Sequence, residues 1–176
     1  MIIFNLDGTL ADCDHRRHFV DKNHPKNNQF VEGQVISFNT NTGETTFYPP
    51  NPKFVPNWKA FYEACDKDEL IESVETMFKL LRDNDFNIEI WSGRCESVRK
   101  KTENWLWDRN LDGFLLKMRP IGDSTPDDVL KEKWLDEAIA EGKNIDAVFD
   151  DRPKVVRMWN RRGIFVFDVG QGKGEF

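Results

Sequence analysis

Three groups of polar residues follow apolar stretches of the chain and carry side chains suited to phosphate chemistry. The groups are Asn5-Leu6-Asp7, Ser92-Gly93-Arg94 and Asp150-Asp151. Carboxylate and amide oxygens are the ligands that magnesium prefers, whereas hydroxyl, backbone amide and guanidinium groups bind anions. Lys131 adds a compact positive charge near the start of a predicted helix. A single Asp after a strand is usually a turn or a helix cap, but the three groups together favour phosphoryl transfer, which depends on positioning and charge stabilisation.

The elements that must position these groups alternate between strands and helices. Apolar runs predict strands at 1–4, 87–91, 114–118, 145–149 and 164–169, and helical spacing predicts helices at 71–81, 96–107, 127–141 and 155–162. This alternation is typical of an α/β fold, a doubly wound parallel sheet covered by helices on both faces. Ligands of such sheets bind beyond the carboxyl ends of the strands, which is where the three polar groups are expected.

Residues 11–60 differ from the rest of the chain because they are polar and rich in Asn and Pro. Within them, 35–38 and 45–48 have strand character and flank the turn-forming stretch 39–44, which predicts a β-hairpin. We interpret 11–60 as a small cap inserted into a core formed by residues 1–10 and 61–176. No internal repeat is visible.

Length and composition exclude several classes of protein. The 176 residues fit one domain. With 25 Lys and Arg against 31 Asp and Glu, the net charge is −6, so a broad nucleic-acid-binding surface is disfavoured while a local positive pocket remains allowed. The three cysteines lack CxxC spacing and are expected to be reduced thiols. The sequence has no signal peptide and no apolar run of membrane-spanning length, so a cytoplasmic protein without membrane contact is expected. It sets no expectation for the oligomeric state.

The polar groups resemble the four signature motifs of the haloacid-dehalogenase (HAD) phosphatase superfamily, in the same order and with similar spacing. The matching residues are Asn5-Leu6-Asp7-Gly8-Thr9-Leu10, Ser92-Gly93-Arg94, Lys131 and Phe149-Asp150-Asp151-Arg152. Over 91–97, 119–132 and 150–159 the chain is also similar to the 3′-phosphatase domain of phage polynucleotide kinase and its stand-alone phage relatives. A phage origin would place the protein in the host cytoplasm. No GxxxxGK[ST] sequence is present, so a kinase half is not expected within this sequence.

The resemblance implies a role for each matching residue. In this superfamily the first carboxylate of the opening motif attacks phosphorus and forms an aspartyl-phosphate, and Asn5 occupies that position. Asp7 would protonate the leaving oxygen and then activate water. Ser92 would hydrogen-bond the phosphoryl group, and Lys131 would stabilise its charge.

The same resemblance implies a magnesium site and contacts to a substrate. Magnesium would be held by the Asn5 side chain, the backbone carbonyl of Asp7, Asp150 and Asp151. The substrate contacts would come from Thr9, Arg16, Gly93, Arg94, Arg119 and Asp127. The expected substrates are nucleotide or polynucleotide phosphates, with 3′-phosphate ends of DNA or RNA first and free 5′-mononucleotides as a close alternative.

Asn5 is the departure from the superfamily pattern. An amide is neutral and a poor nucleophile, so the covalent route should be severely impaired, although magnesium and substrate would still find an oxygen of similar shape. Two hypotheses remain open: an active phosphatase carrying an engineered Asp-to-Asn substitution, and a naturally inactive binder of phosphate esters. The retention of Asp7, Lys131, Asp150 and Asp151 favours the first.

Several aromatic residues have two interpretations. Trp58, Phe61 and Tyr62 have helical spacing, and they would either stack a base or pack the cap onto the core. Four further tryptophans are expected to pack on the sheet, namely Trp105, Trp107, Trp134 and Trp159.

Overall fold

The computed structural model describes residues 1–27, 36–38, 42, 45–47 and 54–170. Its centre is a five-stranded sheet in which every strand pair is parallel. In the order in which they lie side by side, the strands are β7 (Leu115–Arg119), β6 (Ile88–Cys95), β1 (Ile2–Phe4), β8 (Ala147–Asp150) and β9 (Val166–Asp168). The predicted parallel α/β sheet is therefore confirmed. Among the described residues, no helix combines the length and the apolar character needed to cross a membrane.

Helices cover both faces of this sheet. Their bounds are α1 (Trp58–Glu63), α2 (Glu72–Asp83), α3 (Arg99–Trp107), α4 (Asp127–Ala140) and α5 (Pro153–Arg161). Successive residues of a strand point to opposite faces, so Phe4 packs in one core with Phe78 of α2, while Ile3 packs in the other with Trp134 of α4. The two apolar cores hold the carboxyl ends of the central strands at one edge.

Most predicted helices and strands are confirmed, with bounds that differ by a few residues. The burial of one tryptophan differs from expectation. Trp105, Trp134 and Trp159 are buried as expected, but Trp107 is 69% exposed. Trp107 lies two positions beyond Trp105 in α3, and in a helix of 3.6 residues per turn that spacing places the two side chains on different faces.

Two small sheets accompany the central one. β2 (Ala11–Asp12) pairs antiparallel with β5 (Glu69–Leu70). β3 (Ile36–Phe38) and β4 (Thr45–Phe47) form the expected hairpin, with Ile36 opposite Phe47. The hairpin's predicted flanks at residues 35 and 48, and its turn apart from Thr42, lie outside the described residues. The expected boundary between residues 60 and 61 falls inside α1, because Trp58 to Glu63 form one continuous helix.

Candidate active site

The three polar groups meet at one edge because their strands are neighbours. β1 lies between β6 and β8, with Phe4 opposite Ile90 on one side and Phe149 on the other. All three strands run in the same direction, so the residues that follow them emerge together. The sequence prediction of a common site at this edge follows directly from that strand order.

The side chain of Asn5 has opposite surroundings at its two ends. Lys131 donates from Nζ to the Asn5 Oδ1 atom at 3.0 Å, and also to Asp150 Oδ2 at 2.8 Å. The Asn5 Nδ2 atom donates to the backbone oxygen of Asp7 at 2.8 Å and to Asp151 Oδ1 at 2.7 Å, with Thr9 Oγ1 at 3.4 Å. The amide oxygen thus faces a cation, and the amide nitrogen lies among three oxygens.

With a carboxylate at position 5, the oxygens of Asp7 and Asp151 would be suitable ligands for a hard divalent cation, although the described residues contain no group of three or more His, Cys, Asp or Glu side chains placed to hold one. A carboxylate at position 5 would place an oxygen where Nδ2 now lies, facing the oxygens of Asp7 and Asp151. A bound cation would then be needed to offset the repulsion among these oxygens. Burial and the neighbouring Asp150 carboxylate raise the pKa of Asp151 to about 6, so this group also lacks full compensation of its charge. Asp150 is bound differently, because its oxygens accept from Lys131 and Trp159 side chains and from two backbone amides.

Asp7 is held by two buried arginines. Its Oδ1 atom accepts from Arg16 Nη2 at 2.6 Å and from Arg94 Nε at 2.7 Å. Burial acts to raise the pKa of Asp7, but the charges of Arg94 and Arg16 outweigh it and lower the pKa. The carboxylate form is therefore favoured, which suits a base placed to take a proton from water.

Asp68 anchors both of these arginines. Its carboxylate accepts from Arg16 Nε at 2.7 Å and Nη2 at 2.6 Å, and it also pairs with Arg94 Nη2. The side chains of Asp68, Arg16 and Arg94 are fully buried. The two arginines and the carboxylates of Asp7 and Asp68 form a cluster that fixes the position of Asp7. His15 joins it from a partly exposed side chain, with its Nε2 atom 2.9 Å from Asp68 Oδ1.

A second carboxylate orients two more arginines at the mouth of the site. Asp127 Oδ1 accepts from Arg119 Nη2 at 2.8 Å, and Oδ2 accepts from Arg152 Nη1 at 3.0 Å. Burial acts to raise the pKa of Asp127, but the charges of Lys131, Arg152 and Arg119 lower it. These two guanidinium groups border a cavity of about 430 Å³ whose lining also includes Asn5 and Asp7, a volume within the usual range of ligand pockets.

The predicted site residues divide between the cavity and the layer behind it. Those that line the cavity are Asn5, Asp7, Gly93, Arg119 and Asp127. Those buried behind it are Thr9, Arg16, Ser92, Arg94, Lys131 and Asp150. The remaining predicted residue, Asp151, is partly buried and does not belong to the cavity lining.

Thr9, Arg16 and Arg94, for which the sequence predicts substrate contacts, lie behind the cavity lining. Thr9 donates to Asp151 Oδ1 at 3.0 Å. Both guanidinium groups are taken up by Asp7 and Asp68. In this structure both guanidinium groups are fully buried, and the substrate contacts of these three residues stay a prediction.

Sequence reasoning missed two residues of the site. Arg152 directly follows the Asp150-Asp151 pair, and its place after a strand end at the same sheet edge is a signal that could have identified it. Asp68 has no such signal, because it lies in a polar stretch beyond a 3-10 turn (Cys65–Lys67) and no spacing pattern distinguishes it from neighbouring acids.

Gly8 is required where the chain turns beneath Asp151. Its φ of +79° is in the left-handed region, and a Cβ there would lie 2.0 Å from Asp151 Oδ2. We expect Gly8→Ala to lower the free energy of unfolding by more than the roughly 1–2 kcal/mol attributable to φ alone, because Asp151 must also move. The matched control is Gly113→Ala, with a φ of +86° and no atom within 4 Å of the added Cβ. Urea unfolding measures both, and equal losses would show that Asp151 moves aside without cost.

Comparison with known proteins agrees with this geometry. Residues 59–176 match the HAD family model described as the polynucleotide kinase PNKP phosphatase domain. The chain is 30% identical, over 97% of its length, to a protein of Autographa californica nuclear polyhedrosis virus named "Putative bifunctional polynucleotide kinase/RNA ligase". It covers only 27% of that viral protein.

Solved structures show the same fold. A chain in the structure of a Pnkp1/Rnl/Hen1 complex superposes with a TM-score of 0.66 at 25% identity, covering 99% of this chain and 46% of that one. A haloacid dehalogenase-like hydrolase from Streptococcus pneumoniae superposes with a TM-score of 0.51 at 11% identity, covering 95% and 82%. This chain therefore spans about half or less of the first two relatives.

Proposed function

Because this chain belongs to the HAD family of polynucleotide kinase phosphatase domains, we propose that its site is built to remove phosphate from the 3′ ends of nucleic acids with magnesium. The observation that carries the proposal is the environment of Asn5. Its oxygen faces Lys131, its nitrogen lies among three oxygens, and it lines a cavity bordered by Arg119 and Arg152. A carboxylate at position 5 would have the lysine and the metal ligands that a phosphate-attacking nucleophile needs.

Each residue then has a defined part in the reaction. A carboxylate oxygen at position 5 would attack phosphorus, and Asp7 would give a proton to the departing sugar oxygen. Burial acts to raise the pKa of Asp7 but Arg94 and Arg16 outweigh it, so Asp7 would first have to gain a proton, which the negative charge of a phosphate bound beside it would favour. Asp7 would next take a proton from the water that cleaves the aspartyl-phosphate. Lys131 would stabilise the charge on the phosphoryl oxygens. Magnesium, held by position 5, the Asp7 carbonyl, Asp151 and Asp150, would neutralise the remaining negative charge.

Arg119 and Arg152 support a polynucleotide as the substrate. Asp127 holds both guanidinium groups beside the cavity. Arg119 is buried and donates to Gly93, Thr125 and Asp127, so Arg152, whose side chain is 27% exposed, is the arginine that would meet a phosphodiester beyond the terminal nucleotide. This local positive charge is compatible with the overall net charge of −6, because one chain end needs only a few contacts. The volume of about 430 Å³ also suits a single enclosed nucleotide, so 5′-mononucleotides are the second candidate.

A substrate panel distinguishes the two candidates. The Asn5→Asp variant would be given a 3′-phosphorylated oligonucleotide, the same oligonucleotide with a 5′-phosphate, and 5′-mononucleotides, each with and without magnesium. We expect kcat/KM at least about tenfold higher for the 3′-phosphorylated oligonucleotide, equivalent to about 1.4 kcal/mol from contacts beyond the terminal nucleotide. A preference for mononucleotides would establish the nucleotidase alternative instead.

The protein as it stands is proposed to be a poor catalyst. The Asn5 amide is a weak nucleophile, and its hydrogen bonds to Lys131 and Asp151 hold it firmly in place. These hydrogen bonds of Asn5 also favour the second hypothesis, a naturally inactive protein. Such a protein would bind phosphate esters in the same cavity without hydrolysing them.

A further inference from the structure

The three aromatic side chains of α1 lie in different surroundings. Phe61 is buried, packs with Cys13 and Val20, and lies beneath the Arg16 guanidinium at 4.1 Å. Trp58 is 42% exposed, and both Trp58 and Tyr62 line the cavity that contains Asn5 and Asp7. Phe61 also borders the cavity, and Tyr62 packs against the cluster that contains Phe61 and against a second cluster that contains Val98. Among the described residues, Trp58 is the aromatic residue of this helix that belongs to neither cluster.

Trp58 and Tyr62 form a continuous aromatic wall. They are four residues apart, which places them on the same face of the helix, and their ring centroids lie 5.9 Å apart with planes inclined by 31°. Asn57 caps the helix by accepting from the Ala60 amide at 3.0 Å. The wall is thus fixed at its start by a cap and beneath by the buried Phe61.

This wall is joined to the phosphate end of the cavity. The Tyr62 hydroxyl lies 3.4 Å from the backbone oxygen of Gly93, and Arg119 Nε donates to the same oxygen at 3.0 Å. Arg119 also donates from Nη1 to the Thr125 oxygen at 2.5 Å, and Thr125 borders the same cavity. A phosphate near Asn5 would therefore share the cavity with the two aromatic rings and with the loop at Thr125.

We propose that Trp58 and Tyr62 bind the base of the nucleotide that carries the phosphate, by stacking; this inference rests on the proposed function. Stacking on an aromatic ring does not distinguish among the four bases, because each has a π face. A base stacked on Trp58 is withdrawn from its neighbours in the nucleic acid. The site would therefore prefer unpaired ends of any sequence.

Binding to the protein as it stands tests the proposal, because Asn5 allows substrate to be held without turnover. The probes are two short oligonucleotides with a 5′ dye and a 3′-phosphate, one ending in thymidine and one ending in an abasic sugar. We expect Trp58→Ala to weaken binding of the thymidine end about tenfold or more, within the usual worth of one stacked base. Binding of the abasic end should change less than about twofold.

Two variants complete the design. Trp107→Ala removes another exposed tryptophan, 69% exposed and outside the cavity lining, and should leave both affinities unchanged. Trp58→Phe keeps a ring and should restore most of the discrimination between the two ends. Equal weakening of both ends by Trp58→Ala would overturn the stacking proposal while phosphate-dependent binding survives. Equal binding of oligonucleotides with and without the 3′-phosphate would overturn the proposed function itself, and the stacking with it.

Discussion

The Asn5→Asp variant is expected to release phosphate from a 3′-phosphorylated oligonucleotide about 10⁴-fold faster, or more, than the protein as it stands. Removal of a catalytic nucleophile in hydrolases has effects of this size or larger. The rest of the site needs no change, because Lys131 already contacts the position-5 oxygen at 3.0 Å and Asp7 is already fixed by two arginines. A continuous phosphate-release assay with both proteins at equal concentration measures the ratio.

The unfolding free energy of the same variant should depend on magnesium, whereas that of the present chain should not. The Asn5 nitrogen now donates to the Asp7 carbonyl and to Asp151, and a carboxylate removes both donors and adds a charge. Without divalent ions we expect the variant to lose about 1–3 kcal/mol of unfolding free energy. Magnesium should restore stability, since a ligand that binds only the folded state stabilises it.

A matched control separates this effect from a general effect of charge. Asn160→Asp makes the same chemical change at an exposed position of α5, where substitutions usually shift stability by no more than about 0.5 kcal/mol. It should show no response to magnesium. If Asn5→Asp folds and is stabilised by magnesium yet releases no phosphate from any substrate, the naturally inactive binder becomes the better account of this chain.

Local patterns in the sequence determined the sheet and the edge on which the site lies. The apolar runs that became β1, β6 and β8 end at the polar groups, and the strand order that brings those ends together is a general property of doubly wound sheets. Strand ends and motif order were therefore enough to predict that Asn5, Asp7 and Lys131 lie close together. They were not enough to predict the direction in which each side chain points.

The contacts that the sequence did not predict join partners that are distant along the chain. Arg94 emerges at the correct edge, yet its guanidinium binds Asp68, which lies 26 positions earlier. Arg16 binds the same carboxylate across 52 positions. Neither pairing has a periodic signature, because each depends on how the turn at Cys65–Lys67 meets the sheet. The residues behind a catalytic group are set by tertiary packing, and that is where the sequence is least informative.

Asp68→Asn is expected to lower the free energy of unfolding by about 3–5 kcal/mol, as when one partner of a buried ion pair is removed. Arg16 and Arg94 would then share only the charge of Asp7, which leaves one positive charge uncompensated on two fully buried guanidinium groups. The amide has nearly the shape of the carboxylate, so loss of packing contributes little. Urea unfolding, monitored by tryptophan fluorescence, measures the change.

The control for Asp68→Asn is the same substitution at the surface. Asp136 is 61% exposed and pairs with Arg162 at 2.6 Å, an arrangement worth at most about 1 kcal/mol. Asp136→Asn should therefore have a small effect. A loss of similar size in both variants would mean that the cluster around Asp7 is not held together by Asp68.

Salt adds an independent test of the burial that underlies this prediction. At about 1 M salt the screening length falls to roughly 3 Å, which suppresses interactions between charges exposed to solvent. The effect of Asp136→Asn should then disappear, whereas that of Asp68→Asn should persist, because Asp68 and the two guanidinium groups that it binds are fully buried and buried pairs are screened much less. In the active Asn5→Asp background, Asp68→Asn should also reduce kcat more than it raises KM, since it displaces Asp7 but leaves Arg119 and Arg152 at the cavity mouth.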